Sequence, residues 1–108
     1  MEKALKKTID EFVRKTRNIL KDNLLEGYLF GSAARNENKI DSDVDILFIV
    51  KKYNPQLRKS LSFLASEYSI NQNVLISPIL KDNDTWQKNK KHDTLFFNEI
   101  MKDGLKLC

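Results

Sequence analysis

The chain has very few of the residues that build disulfides, metal centres and irregular loops. Its 108 residues include one cysteine, one histidine, two prolines and three glycines. The cysteine, Cys108, is the last residue, which predicts that the chain has no internal disulfide and is cytoplasmic. The histidine, His92, has no cysteine or other histidine to accompany it, so we expect no zinc site.

Long apolar runs are also missing. No stretch approaches the length of a membrane span, and the charged first residues do not resemble a signal peptide. Neither a Walker loop nor a Gly-x-Gly-x-x-Gly motif occurs. With 41% hydrophobic residues the chain can bury a modest core, and we expect one domain over residues 1–108. The formal net charge of +4 is compatible with a nucleotide or RNA partner, and equally with an ordinary lysine-rich surface.

The most informative segment spans residues 29–50 and reads LFGSAARNENKIDSDVDILFIV. Asp43 and Asp45 stand at the head of its apolar run, which predicts a buried strand. Side chains alternate along a strand, so both carboxylates point the same way and repel each other unless a cation lies between them. Oxygen ligands of this kind favour Mg²⁺, which commonly binds one or two carboxylates together with substrate phosphates.

The acidic residues allow two other interpretations. A calcium loop of the EF-hand type needs glycine at its sixth position and glutamate at its twelfth, where this chain has Ile46 and Lys52. That difference excludes a calcium loop. A solvated acidic turn suits Asp41, although Asp41 would share the face of the other two acids if the strand began early. It does not suit Asp45, which lies against the apolar run.

The first half of the segment is suited to binding phosphate. An apolar strand over residues 24–30 leads to Gly31, which permits a sharp turn. We predict that Ser32 then caps a short helix, whose free backbone N–H groups and partial positive charge favour phosphate. Arg35, about one helical turn later, can donate two hydrogen bonds to phosphate oxygens.

Together, GSAAR and SDVDILFIV resemble the signature of the polymerase-beta-like nucleotidyltransferases in their minimal form, the MNT proteins. The spacing from Gly31 to Asp43 matches the family pattern GSxARGxxxxxSDxD without a gap. The resemblance implies that Ser32 and Arg35 contact the phosphates of ATP, and that Gly31 allows their close approach. It implies that Asp43 and Asp45 are catalytic residues that bind Mg²⁺. It also implies an α+β fold in which helices flank a small mixed sheet.

The chain departs from the family pattern in two places. Asn36 replaces the usual glycine, and asparagine tolerates the left-handed conformation better than most residues. Many members also carry a third carboxylate on a later strand, which we expect over residues 73–80. That stretch contains no acid: Leu75 takes the expected position, and Ser77 lies on the same face. Asp82, just beyond the strand, is interpreted as a turn residue.

The remaining apolar spacing outlines the other elements. It predicts helices over about residues 3–22, from Asn54-Pro55 onward, and from about residue 94 to Gly104. The apolar cluster at residues 95–97 exceeds one helical face, so it indicates either burial or a partner surface. The alternation of helices and strands is typical of a doubly wound parallel sheet. We adopt the mixed sheet that the resemblance implies, because the site pattern is the more specific signal.

Three functions follow from the resemblance. The first is Mg²⁺-dependent transfer of AMP from ATP to a hydroxyl of a protein partner. Minimal members resemble the antitoxin of two-gene systems whose partner is a helical HEPN toxin. The second is a binding module, catalytically weak, that neutralises such a partner by contact. The third is a transferase that acts on RNA ends, helped by the basic residues 88–92. The chain is too short for a separate acceptor-binding domain, so we expect the acceptor to be another molecule.

Overall fold

The structure is a computed structural model that describes residues 2–35 and 43–108. These residues form four α-helices, one short 3₁₀ turn (Lys21–Asn23) and a four-stranded sheet. In chain order, the elements are α1 (Lys3–Leu20), β1 (Leu24–Phe30), β2 (Val44–Val50), α2 (Pro55–Gln72), β3 (Ile76–Asp82), α3 (Asn83–Lys91), α4 (Leu95–Asp103) and β4 (Leu105–Lys106). None of the helices described is both long enough and apolar enough to cross a membrane.

The sheet is mixed, as the resemblance implies. Its strand order is β3-β2-β1-β4, with β2 antiparallel to β1 and parallel to β3, and β4 antiparallel to β1. The parallel pair needs a long crossover, which α2 provides between β2 and β3. The predicted mixed sheet flanked by helices is therefore confirmed, and the alternation of elements does not produce a doubly wound parallel sheet.

Strand β2 lies at the centre of the fold because both of its faces are covered. Alternate residues from Val44 to Val50 pack with α1 and α2, where Phe12 contacts Phe48 and meets Tyr68 edge to face at 5.6 Å. The intervening residues pack with Trp86 and Ile100 on the opposite face. Burial on both faces explains why the strand is a continuous apolar run rather than an alternating one.

The second core, on the face of α3 and α4, is rich in aromatic rings. The ring of Trp86 lies 6.2 Å from that of Phe96 and 5.3 Å from that of Phe97. Phe96 also meets Phe30 of β1 edge to face at 5.5 Å. Leu95, in contrast, is 90% exposed. Of the two interpretations of residues 95–97, burial is therefore correct for the two phenylalanines but not for Leu95.

Residues with positive φ move two element boundaries away from the predicted ones. Helix α1 ends at Leu20, where we predicted residue 22, because Lys21 adopts a φ of 51°. Helix α2 continues to Gln72 and is closed by Asn73 with a φ of 54°. The prediction of strand from residue 73 is thus wrong, and β3 begins at Ile76.

Side-chain caps confirm the predicted starts of two helices and explain a third. The side chain of Asn54 accepts a hydrogen bond from the backbone N–H of Gln56 at the start of α2. Thr94 does the same for Phe97 in α4. Asp82, predicted as a turn residue, caps α3 in the same way. Its carboxylate is therefore occupied by the helix that follows β3.

Candidate active site

Three segments meet at one edge of the sheet. Strand β1 ends where its antiparallel neighbour β2 begins, so Phe30 pairs with Asp45. Strand β3 begins beside the same end of β2, because those two strands are parallel, and the N–H of Val44 donates to the carbonyl of Leu75 at 2.7 Å. The turn after β1, the acidic pair and the start of β3 are therefore neighbours.

Gly31 lies directly against the acidic pair. Its φ is +75°, and a Cβ atom at this position would be only 2.5 Å from Oδ2 of Asp45. Both observations favour glycine, because an L side chain is strained at this φ and any Cβ would force the carboxylate of Asp45 to move. The turn that the sequence predicts to bind phosphate thus touches Asp45 of the acidic pair.

Residues 31–35 form turns, and the N–H of Arg35 donates to the carbonyl of Gly31 at 3.3 Å. This is a single helix-like bond, so the predicted short helix is wrong for these five residues. Ser32 is partly buried and Arg35 is exposed. Both lie on the β1 side of β2, and their phosphate-binding roles stay predictions. Asn36 and Asp41, also considered from the sequence, lie outside the described residues.

Asp43 and Asp45 belong to the face of β2 that α3 and α4 cover, since residues two apart share a face and Leu47 packs in that core. Asp43 is exposed and Asp45 is partly buried. Burial raises the pKa of Asp45, and the negative charges of Asp43 and Glu99 raise it further. This is the repulsion predicted for two neighbouring carboxylates, and a cation between them would relieve it.

Glu99 is the acid near this site that the sequence did not reveal. It is an exposed residue of α4, one helical turn after Phe96. Phe96 packs on Phe30, and Phe30 is the strand partner of Asp45. An exposed glutamate on an amphipathic helix carries no signal in the sequence. Within the described ranges, no three acidic, histidine or cysteine side chains form a group that could hold a metal. Glu99 therefore acts on Asp45 through its charge.

The start of β3 supplies hydroxyl and backbone groups to the site rather than an acid. In the parallel register, Ser77 is the partner of Asp45, and Leu75 lies just before the strand with its carbonyl bonded to Val44. Asn73, which the sequence placed on the same strand, caps α2 instead.

Comparison with known proteins identifies the family. The family model for polymerase beta nucleotidyltransferases matches residues 7–108. A protein from Methanocaldococcus jannaschii, named as a putative protein adenylyltransferase, is 38% identical over 101 residues, which cover 92% of this chain and 94% of the relative. A second protein of that name from the same organism is 38% identical over 82 residues, covering 73% of this chain and 56% of the relative.

Solved structures show the same fold. A toxin–antitoxin complex with AMP-PNP matches 92% of this chain and 72% of its own chain, with a TM-score of 0.63 and 17% identity. A nucleotidyltransferase from Sulfolobus solfataricus matches 93% of this chain and 76% of its own, with a TM-score of 0.54 and 26% identity. The matched family model, the relatives and the shared fold agree: the chain belongs to the polymerase beta nucleotidyltransferase family and is a nucleotidyltransferase.

Proposed function

We propose that this protein transfers AMP from ATP to a hydroxyl group of a protein partner, with Mg²⁺, as the antitoxin of a pair whose toxin is of the helical HEPN type. The observation that carries the proposal is the contact between Gly31 and Asp45. It joins a turn suited to phosphate and a pair of carboxylates suited to a hard cation in one place. A nucleoside triphosphate bound with Mg²⁺ needs both the phosphate-binding turn and the carboxylates.

The residues present fit a magnesium ion. Asp43 and Asp45 share a face and supply only oxygen ligands, and burial together with the charge of Asp43 raises the pKa of Asp45. They would hold the ion together with the phosphates of ATP. When bound, the ion would neutralise charge that develops on the phosphate oxygens during transfer. No third acidic ligand is required for this, since Mg²⁺ usually keeps several waters.

The turn after β1 would hold the triphosphate. Gly31 brings the backbone close to Asp45, so that phosphates bound by the turn also reach the acidic pair. Ser32 would donate its hydroxyl, and Arg35 its guanidinium, to phosphate oxygens. These groups position the α-phosphate and stabilise the charge of the pyrophosphate that leaves, which is most of what phosphoryl transfer asks of a protein.

A protein acceptor is supported by the comparisons. Both relatives from M. jannaschii are named for protein adenylyltransferase activity, and solved structures with this fold come from toxin–antitoxin complexes, one of them with an ATP analogue. We extend the acceptor class, a protein hydroxyl group, to this chain. The lack of cysteine pairs is consistent with a reaction in the cytoplasm.

The test is incubation of the purified protein with α-³²P-labelled ATP and Mg²⁺, with and without its co-purifying partner. We expect label on the partner, reduced at least ~100-fold in Asp43→Asn and Asp45→Asn. Asp84→Asn, which removes an exposed acid of α3, is the matched control and should label like the wild type. Label on RNA alone would overturn the protein acceptor and favour a transferase for RNA ends.

A binding module is the second candidate function. The observation that favours it is Ser77 opposite Asp45 at the start of β3, where the strand has no carboxylate to accept the acceptor's proton, since its one acid, Asp82, lies at the other end and caps α3. Under this alternative the wild type transfers no label, and the Asp43→Asn, Asp45→Asn double variant still neutralises the partner. Loss of neutralisation together with transfer would instead support the enzyme.

A further inference from the structure

A groove adjoins the acidic pair on the side away from the Gly31 turn. It has a volume of about 430 Å³ and lies between α2 and the start of β3. Its lining includes Asp43, three serines of α2 (Ser62, Ser66 and Ser69), Leu75 just before β3 and Ser77 near the start of that strand. The three α2 serines are spaced four and three apart, so they lie on one face of the helix. We propose that this groove, here called the serine groove, binds the segment of an acceptor protein that carries the hydroxyl group to be modified.

The position of the groove follows from the strand order. The Gly31 turn follows β1, and β1 and β3 lie on opposite sides of β2. With the triphosphate on the β1 side, the pyrophosphate leaves on that side. An in-line displacement then requires the attacking oxygen to approach from the β3 side. The serine groove lies on that side, where α2 of the opposite face reaches the start of β3, and Asp43 is part of both the groove and the acidic pair.

The lining of the groove favours a polypeptide over a nucleic acid. Among the residues that the structure describes, none of the side chains that line it is basic, and Asp43 is the one charged residue of the lining. A strand of RNA would need cations along its phosphates. The hydroxyl of Ser66 donates to the carbonyl of Phe63 at 2.6 Å, so it can accept a hydrogen bond from a peptide N–H, and the hydroxyl of Ser69 can accept one too.

The outer edge of the groove is apolar. Phe63 and Ile70 are seven residues apart on α2, next to Ser66, and they are 69% and 81% exposed. Large apolar side chains that stand exposed on one helix face mark protein-binding surfaces. The occupant is therefore an uncharged segment of a protein. This inference rests on the proposed function, because it names the acceptor surface of the same reaction.

The transfer reaction proposed for this site balances without a further reactant. The acceptor oxygen forms a bond to the α-phosphorus of ATP as the bond from that phosphorus to the bridging oxygen of pyrophosphate breaks. The hydroxyl proton passes to solvent, and pyrophosphate leaves with the electron pair of the broken bond. Filling the groove should therefore weaken acceptor binding and leave the chemistry of bound ATP unchanged.

The test uses Ser66→Tyr and Ser69→Tyr, which place bulk in the groove from the surface of a helix. Ser60→Tyr is the matched control, because Ser60 is an exposed α2 residue that does not line the groove. The acceptor probe is the co-purifying partner protein, and the nucleotide probe is fluorescent mant-ATP with Mg²⁺. We expect KM for the partner to rise at least tenfold in both groove variants, with kcat and the Kd of mant-ATP within twofold of the wild type.

Three results would overturn the proposal. The first is a KM for the partner in the groove variants equal to that of Ser60→Tyr. The second is a weakened Kd for mant-ATP, which would assign the groove to the nucleoside. The third is transfer by the wild type to RNA rather than protein.

Calorimetric titration with the partner separates this inference from the proposed function. If the wild type transfers nothing, the proposed function fails. A partner affinity tenfold weaker in Ser66→Tyr than in Ser60→Tyr would still place the partner in the groove. Equal affinities in the two variants would exclude the groove as the binding site of the partner.

Discussion

Gly31 and Asp45 lie against each other although they belong to different segments of the chain, with space between them for no side chain at all: a Cβ on Gly31 would stand 2.5 Å from Oδ2 of Asp45. This contact couples the turn after β1 to the acidic start of β2. A change at one residue should therefore be felt at the other.

Gly31→Ala should reduce AMP transfer at least tenfold and lower the free energy of unfolding by about 1–2 kcal/mol, since alanine is strained at positive φ and collides with the carboxylate. Gly31→Asn separates the two causes, because asparagine tolerates the left-handed conformation but has the same Cβ. We expect both variants to lose activity, with the asparagine variant losing less stability in urea unfolding. Full activity in the asparagine variant would show that the contact with Asp45 is unimportant.

The raised pKa of Asp45 predicts how stability depends on pH without metal. The folded protein holds this proton more tightly than the unfolded chain, whose aspartates titrate near 3.8. The free energy of unfolding therefore falls as pH rises from 3.8 through the folded pKa, and the ionised residue is destabilising above that window. Asp45→Asn should raise Tm above that window by about 2–4 °C. Thermal melts in EDTA from about pH 4 to 8 measure this, and Glu99→Gln should act in the same direction by a smaller amount.

Magnesium should reverse that destabilisation. We expect a higher Tm for the wild type in millimolar Mg²⁺ than in EDTA, because an ion that binds only the folded state stabilises it. The Asp43→Asn, Asp45→Asn double variant should show no such rise, and Asp84→Asn should respond like the wild type. An equal response of all three proteins would place the metal elsewhere.

Trp86 should be the most costly single truncation on the α3 and α4 face of the sheet. It is 4% exposed and contacts Phe96 and Phe97, which hold α4 against β1. Trp86→Ala should cost about 3–5 kcal/mol, a large share of the stability of a small domain. Leu95→Ala, at a 90% exposed neighbour, should change stability by less than about 0.5 kcal/mol. Urea unfolding followed by circular dichroism compares the two.

The hydrogen bond from Tyr68 to Glu11 joins α2 to α1 and predicts a second pH dependence. The Oη–Oε1 distance is 2.7 Å, and this bond, with the nearby charge of Lys15, lowers the pKa of Glu11 below its ordinary value of 4.5. The resulting stability is present above pH 4.5 and is lost as pH falls through the lowered pKa. Tyr68→Phe keeps the ring against Phe12 but should lower the urea midpoint at neutral pH and reduce the further loss in acid. Unchanged acid sensitivity would contradict this role for the bond.

The sequence predicted best where a local pattern decides the outcome. The helix starts at Asn54 and near Thr94 and the apolar run of β2 depend on neighbouring residues and on burial of apolar side chains, both of which the sequence shows directly. The sequence failed at Asn73. This residue ends α2 in the left-handed conformation, but in the sequence it stands directly before an apolar run and so resembles the first residue of a strand. The sequence also failed after Gly31, where a short helix was predicted and the structure has turns over residues 31–35. The same residue types begin both kinds of structure.

The sequence by itself determined the chemistry that this protein can offer. Glycine, serine and arginine before two aspartates specify a family and a donor set, because few other arrangements explain those residue types at that spacing. The tertiary structure alone decided what surrounds that chemistry. It placed Gly31 against Asp45, brought the charge of Glu99 to the pair, and opened the serine groove on the β3 side. Those relationships join residues far apart in the chain, and only strand order and helix packing can bring such residues together.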